Sequence, residues 1–203
     1  VKAILSCLVA LCALTVLAGC GGGSGGSSVP APLAESPEPT PEIASDPAPT
    51  QVTAGTRATC NLANFQAEVL ELVNSYRATG ASCGSQGSFA AATPVAWNAA
   101  LTQGALVHSD DMASANFFSH TGSDGSTASQ RATEAGYVWQ AIGENVAAGQ
   151  PGVAAVMSSW MASAGHCANI MHTNFRDIGV ACVNGGAGST YRTYWTMALG
   201  LAR

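Results

Sequence analysis

The sequence predicts an α+β domain, with helices packed on an antiparallel sheet, over residues 60–203 of a 203-residue chain. Three observations predict it. Helical periodicity dominates the first half of that region. Two alternating patterns close it, on either side of a glycine-rich loop, and read as an antiparallel hairpin. Helices come first and the hairpin last, whereas a parallel sheet would alternate strand with helix throughout.

The elements follow in order. Leu62, Phe65, Val69, Leu72, Val73 and Tyr76 recur at helical spacing, with Asn61 as the expected cap and Gly80 as the stop. A second helix is expected from Asn98 to about Asn116, with Leu101, Ala105, His108 and Met112 along one side. A short third runs from Thr127 to Ala135, ended by Gly136. Tyr137 to Val146 is aromatic and apolar enough for a strand. Val153 to about Ser163 is a fourth helix, presenting Val153, Val156, Met157 and Trp160. Ile178, Val180 and Cys182 alternate, as do Tyr191, Thr193, Trp195, Met197 and Leu199, around the loop Asn184-Gly185-Gly186-Ala187-Gly188.

Residues 1–19 read as an export signal. Lys2 is followed by an apolar run that ends Leu17-Ala18-Gly19-Cys20, too short and too small-residue-rich at its end for a spanning helix. The box resembles a bacterial lipoprotein signal, which implies lipidation of Cys20 and a membrane anchor. Residues 20–59 read as a spacer, Gly/Ser-rich at first, with seven of the nine prolines between Pro30 and Pro49. Gly21 follows Cys20 where an aspartate would favour retention at an inner membrane, so in a two-membrane cell the expectation is the outer membrane or periplasm. A G-x-G-x-x-G string at Gly21, Gly23 and Gly26 follows no strand and opens no helix, so it predicts no nucleotide site.

Charge excludes one class of partner. Seven basic residues face twelve acidic ones, a net charge of −5, and charged residues make up 9% of the chain, against about 25% in ordinary proteins. Scattered arginines cannot neutralise a phosphate track, so no nucleic-acid partner is expected. Cys60, Cys83, Cys167 and Cys182 are the cysteines of the domain. An exported chain with an even count is expected to form two disulfides. Of the three connectivities, the expected one is Cys60–Cys83 with Cys167–Cys182, which closes the shorter loops. No C-x2-C pair supports zinc at these cysteines.

Three residues could carry chemistry. His120 follows Asn116-Phe117-Phe118-Ser119 just past the second helix, Glu144 lies in Gly143-Glu144-Asn145, and His166 follows Ser163-Ala164-Gly165 just past the fourth helix. Nothing local links them, so only the fold could bring them together as a metal or proton-transfer site. His108 reads as a packing or hydrogen-bonding residue of the second helix, His172 as exposed, and the four tryptophans as core. Gly80-Ala81-Ser82-Cys83-Gly84 matches G-x-S-x-G, but it follows a helix and contains a cysteine expected in a disulfide, so Ser82 is not read as a nucleophile.

A set of words in order resembles a known family. They are Leu72-Val73-Asn74-Ser75-Tyr76-Arg77; Trp97-Asn98 through His108-Ser109-Asp110-Asp111-Met112-Ala113; Asn116 to His120 with Gly122 through Gly125 and Arg131; Gly143-Glu144-Asn145; Trp160 to Ile170; Gly179-Val180-Ala181; and Tyr194-Trp195-Thr196. Together they resemble the bacterial branch of the CAP superfamily (cysteine-rich secretory proteins, antigen 5, pathogenesis-related 1), also called SCP. The resemblance implies a three-layer α-β-α sandwich with a central cleft. It implies that the cleft holds two histidines and two glutamates able to bind a divalent metal. His120, Glu144 and His166 match three of these. Ser163 stands where the second glutamate is expected.

Two imidazoles and one carboxylate can still hold zinc, the first-choice metal, as a weak or conditional site, while the missing anion weakens it most for magnesium or calcium; a shared hydrogen-bond network without metal is the equal alternative. The implied function is a noncatalytic envelope module, with Asn145 and Ser163 beside the cleft. Its expected ligand is a lipid, a small hydrophobic molecule, or a cell-wall or protein partner. The alternatives are a peptidase-like hydrolase acting through His120, Glu144 and His166, and a structural or adhesive surface protein.

Overall fold

The computed structural model describes residues 56–203; the signal segment, Cys20 and nearly all of the spacer lie outside the described residues. Five helices and six strands follow in the order α1 (Phe65–Thr79), β1 (Ala81–Ser82), β2 (Ser88–Phe89), β3 (Ala96–Trp97), α2 (Ala99–Ser114), α3 (Ala128–Glu134), β4 (Trp139–Ala148), α4 (Val153–Ala162), α5 (Ala164–Met171), β5 (Asp177–Asn184) and β6 (Thr193–Ala202). The main sheet has the order β3-β5-β6-β4. β4, β5 and β6 are antiparallel, as expected, and the two-residue β3 adds a parallel edge to β5.

The side-chain period of a strand builds three layers. Ile178, Val180 and Cys182 of β5 and Trp195, Met197 and Leu199 of β6 join the core with Val69, Val73, Val156, Trp160 and Ile170. That face carries α1, α4 and α5. The intervening residues Ala181, Val183 and Tyr194 pack with Ala105, Leu106 and Met112 of α2 on the opposite face. The α-β-α sandwich implied by the motifs is therefore the observed architecture.

Local signals hold at several ends. Asn98 caps α2 by accepting from the Ala100 and Leu101 amides, and Thr127 forms a capping box with Gln130 at the start of α3. Gly80 ends α1 at φ 78°. Other expectations need correction. α1 starts at Phe65, so Asn61 is no cap; Cys60, Asn61 and Asn64 all adopt left-handed φ and turn the chain before the helix. Tyr191 lies in the loop before β6. Ser82 sits in a short antiparallel pairing of β1 with β2 and not at a strand-to-helix elbow.

The disulfide pairing is also corrected. Cys60 joins Cys182 and Cys83 joins Cys167, with Cα atoms 5.2 and 5.4 Å apart. Short-loop reasoning failed because chain direction decided the outcome. The segment entering the domain runs beside β5, where the Cys60 amide donates to the Cys182 carbonyl at 3.0 Å. The turn after β1 packs on α5. Each bridge therefore spans a long stretch, 122 and 84 residues in sequence, where the chain-entropy term is largest. Reduction is expected to cost about 2–4 kcal/mol per bridge, read as the fall in thermal midpoint with and without reductant. An unchanged midpoint would mean that the bridges add nothing to packing.

Candidate functional site

β4 is the edge strand beside β6, and its alternation sends Glu144 and Asn145 to opposite faces. Gly143 is needed just before them: a Cβ there would lie 2.8 Å from the Phe175 ring. His120 reaches Glu144 from the loop after α2, on one side of the strand. His166 comes from the first turn of α5, on the other. The sequence predicts no fifth helix there, only that His166 lies just past α4. The break between α4 and α5 falls at Ser163, which is half-buried and extended (φ −90°, ψ 123°) and makes no side-chain capping bond.

The three predicted residues converge. His120 Nδ1 and Glu144 Oε1 are 2.8 Å apart. The His120 and His166 rings stand 6.4 Å apart between centroids, tilted by 55°. The Glu144 side chain is 6% exposed and that of His120 57%. Among the described residues, neither His120 Nε2 nor the His166 ring has a hydrogen-bond partner, so both are available to a ligand. Asn145 is fully buried and holds the floor together. Its amide donates to the His166 carbonyl at 3.1 Å, and its oxygen accepts from Asn169 at 2.9 Å. Asn169 also donates to the Glu144 carbonyl at 3.1 Å, which quiets part of an otherwise unpaired strand edge.

Sequence reasoning gave no role to Asn169 or Arg131, although both stand among the quoted motif residues. Arg131 of α3 is buried and donates to Glu144 Oε2 at 2.7 Å and to the His120 carbonyl at 3.1 Å. It also bonds the Ser126 carbonyl and hydroxyl. Gly104 lets α3 lie this close to α2, since a Cβ there would come within 3.2 Å of the Arg131 carbonyl. No periodicity or spacing could show this; the only signal was the motif order.

Burial pushes the Glu144 carboxyl up. The His120 hydrogen bond and the charge and hydrogen bond of Arg131 outweigh it and hold the group below the ordinary carboxylate range. The hydrogen bond to Glu144 raises His120, against burial. Burial, followed by the neighbouring His120, lowers His166. The other histidines behave as expected. His108 is buried, donates through Nε2 to the Ser119 carbonyl at 2.8 Å, and is lowered by burial. His172 is exposed at the end of α5. Trp160 and Trp195 are core residues, and Trp97 and Trp139 pack partly buried against it.

The three expected ligands are not equally free. Among the described residues, no three His, Cys, Asp or Glu side chains cluster as a metal site. Both Glu144 oxygens already accept hydrogen bonds. Two imidazoles on one tetrahedral zinc have centroids about 5 Å apart, so His120 and His166 must close from 6.4 Å. A surface recess of about 570 Å³ lies elsewhere, lined by Arg57, Asp110, Asn116 and the β5–β6 loop, and contains none of these residues. The chemistry points instead to His120, Glu144 and His166, because the polar groups converge there.

Comparison with known proteins places this arrangement. The model of the cysteine-rich secretory protein family, CAP, matches residues 70–199. Uncharacterized protein YkwD of Bacillus subtilis is 30% identical over 132 residues, which is 65% of this chain and 48% of that protein. The chain thus spans about half the length of this curated relative. An extracellular protein of Bacillus anthracis containing an SCP domain has a similar structure (TM-score 0.53, 24% identity, 66% of this chain and 39% of that one). So does an outer surface protein of Borrelia burgdorferi (TM-score 0.53, 16% identity, 68% and 89%).

Proposed function

This chain belongs to the cysteine-rich secretory protein (CAP) family, and we propose that it is an exported cell-envelope module that binds a ligand through His120 and His166. One observation carries the reading: Glu144 takes Nδ1 of His120, which leaves Nε2 without a partner, and the His166 ring stands 6.4 Å away. The residues that would hold zinc are His120, through Nε2, and His166, with water completing the shell. Glu144 would act as the outer carboxylate that orients the first histidine. Zinc bound there would supply a Lewis-acidic anchor for an anionic or carbonyl group of the ligand. Export, and a lipid anchor at Cys20 standing off the domain through the spacer, complete the proposal. They draw support from the signal-like sequence and from the extracellular and outer-surface relatives. Lipids, small hydrophobic molecules and cell-wall or protein partners are the ligand classes to be screened.

Zinc titration by calorimetry tests the site. Weak binding is expected in the purified protein, with loss of about tenfold or more in His166→Ala, since removal of one of two nitrogen donors leaves a single ligand. Affinity is expected to fall as pH falls, because coordination needs neutral imidazole. The raised pKa of His120 starts that competition above the ordinary imidazole range. Equal zinc binding in wild type and His166→Ala would remove the site.

A second reading rests on the same dyad. A carboxylate on Nδ1 with Nε2 free is the arrangement of a general base acting on water. No cysteine of the described domain is free to act as nucleophile, because all four are in disulfides. Cleavage of a peptide library by the wild type but not by Glu144→Gln would favour this hydrolase reading over the binding module.

A further inference from the structure

We infer that Arg131 is the positioning residue that sets the His120 ring, acting through Glu144 and through the backbone. One guanidinium grips both ends of the histidine. Its Nη2 donates to the His120 carbonyl at 3.1 Å and to Glu144 Oε2 at 2.7 Å. The other carboxylate oxygen, Oε1, meets His120 Nδ1 at 2.8 Å. A carboxylate held by a cation is an acceptor only, so Nδ1 must carry the hydrogen, and in the neutral imidazole Nε2 is then the bare nitrogen. Nη1 fixes the turn after the His120 loop through the Ser126 carbonyl at 2.8 Å and hydroxyl at 3.1 Å. The Arg131 and Glu144 side chains are 3% and 6% exposed, so water does not screen the pair as it would at the surface.

Two consequences follow for what the site accepts. The charge of Glu144 is already cancelled, and both of its oxygens are engaged. The carboxylate therefore offers little to a hard, oxygen-seeking cation such as calcium or magnesium. What is left is a pair of imidazole nitrogens, which suits zinc or a hydrogen-bond donor on an organic ligand. Arg131 thus selects against oxygen-seeking metals while it fixes which His120 nitrogen is left without a partner. This deepens the proposed function, because Nε2 is its ligand atom, but the two fail separately: the tautomer is read with no metal present.

The test is the tautomeric state of His120 in the full chain, read from long-range nitrogen–proton NMR correlations at a pH where the imidazoles are neutral. The wild type is expected to show the Nδ1–H tautomer alone. In Arg131→Met the group that keeps Glu144 an acceptor is lost, and a mixture of both tautomers is expected. Arg131→Lys restores the charge but cannot span Ser126, His120 and Glu144 at once, so the wild-type tautomer returns with a less ordered loop. Should Arg131→Met fail to fold, Glu144→Gln reports the same link: Arg131 can only donate and so claims the amide oxygen, the NH2 then faces Nδ1, and a shift toward the Nε2–H tautomer is expected. An Nε2–H tautomer in the wild type would overturn the inference. So would an unchanged Nδ1–H tautomer in a folded Arg131→Met or Glu144→Gln. Calcium and zinc titrations alongside are expected to show zinc binding only; preferential calcium binding by the wild type would overturn the selectivity.

Discussion

Arg77→Met is expected to lower the unfolding free energy by about 4 kcal/mol or more, well above the ~0.5–3 kcal/mol of a typical substitution. Arg77 is fully buried. It has no carboxylate partner among the described residues. Four backbone carbonyls solvate it instead: Thr93 at 2.8 Å, Ile170 at 2.7 Å, His172 at 3.0 Å and Phe175 at 3.0 Å. The Ile170 and His172 carbonyls lie at the C-terminal end of α5, where a helix leaves its acceptors unpaired and its dipole is negative. A cation is therefore well placed there, although burial, and then Arg176, lowers the Arg77 pKa. Methionine fills much of the volume but strands the carbonyls, at about 1–3 kcal/mol for each that water cannot reach. Lysine keeps the charge but lacks the planar fork, so little rescue is expected. For a domain of this size the midpoint should fall by about 10–15 °C. Thermal and denaturant unfolding check the value. A loss under about 1 kcal/mol would mean that water replaces the guanidinium and that α5 needs no such cap.

The same contact explains what was legible in the sequence and what was not. Asn98, Thr127 and Gly80 act within a few residues of themselves, so a reader of the chain can place the ends of α1, α2 and α3. α5 is different. It has eight residues, a glycine in its first turn and no strong repeat of apolar positions. It is a helix because Arg77 holds one end and the Cys83–Cys167 bridge the other. Both partners lie more than eighty residues away, and no local rule reports them. Motif order therefore groups His166 with His120, whose ring it does approach, while its element escapes a local reading. Glu144 shows the same limit. Its identity was legible, but its role depends on Arg131, and only the packing of α3 on α2 reveals that the carboxylate is already engaged.

Gly179→Ala is expected to be the most damaging addition of a single methyl group, costing about 3 kcal/mol or more, the upper end of overpacking or beyond. Ordinarily the change from glycine to alanine inside an element helps, by roughly 0.5–1 kcal/mol, through lower chain entropy in the unfolded state. Here the sign reverses. A Cβ on Gly179 would fall 2.1 Å from the Thr102 amide nitrogen, 2.3 Å from the Leu101 carbonyl carbon and 2.7 Å from the Thr102 Cα. All three are backbone atoms of the first turn of α2, so no side chain can rotate away. That turn is also tied down, since the Asn98 amide donates to the Ile178 carbonyl at 2.8 Å. The residues of β5 that face α2 grow in order: Gly179, Ala181, Val183. The helix can lie against the strand at its first turn and rise from it as the side chains lengthen. A methyl at the narrow end must lift α2, and with it the loop that carries His120. The expected result is therefore double: a large loss in denaturant midpoint and displaced NMR signals for His120. Gly165→Ala is the control, because nothing lies within 4 Å of its Cβ; it should be neutral or stabilise by up to about 1 kcal/mol. Equal stability of Gly179→Ala and Gly165→Ala would show that α2 does not rest on the strand backbone, and the route by which the sheet positions His120 would have to be sought elsewhere.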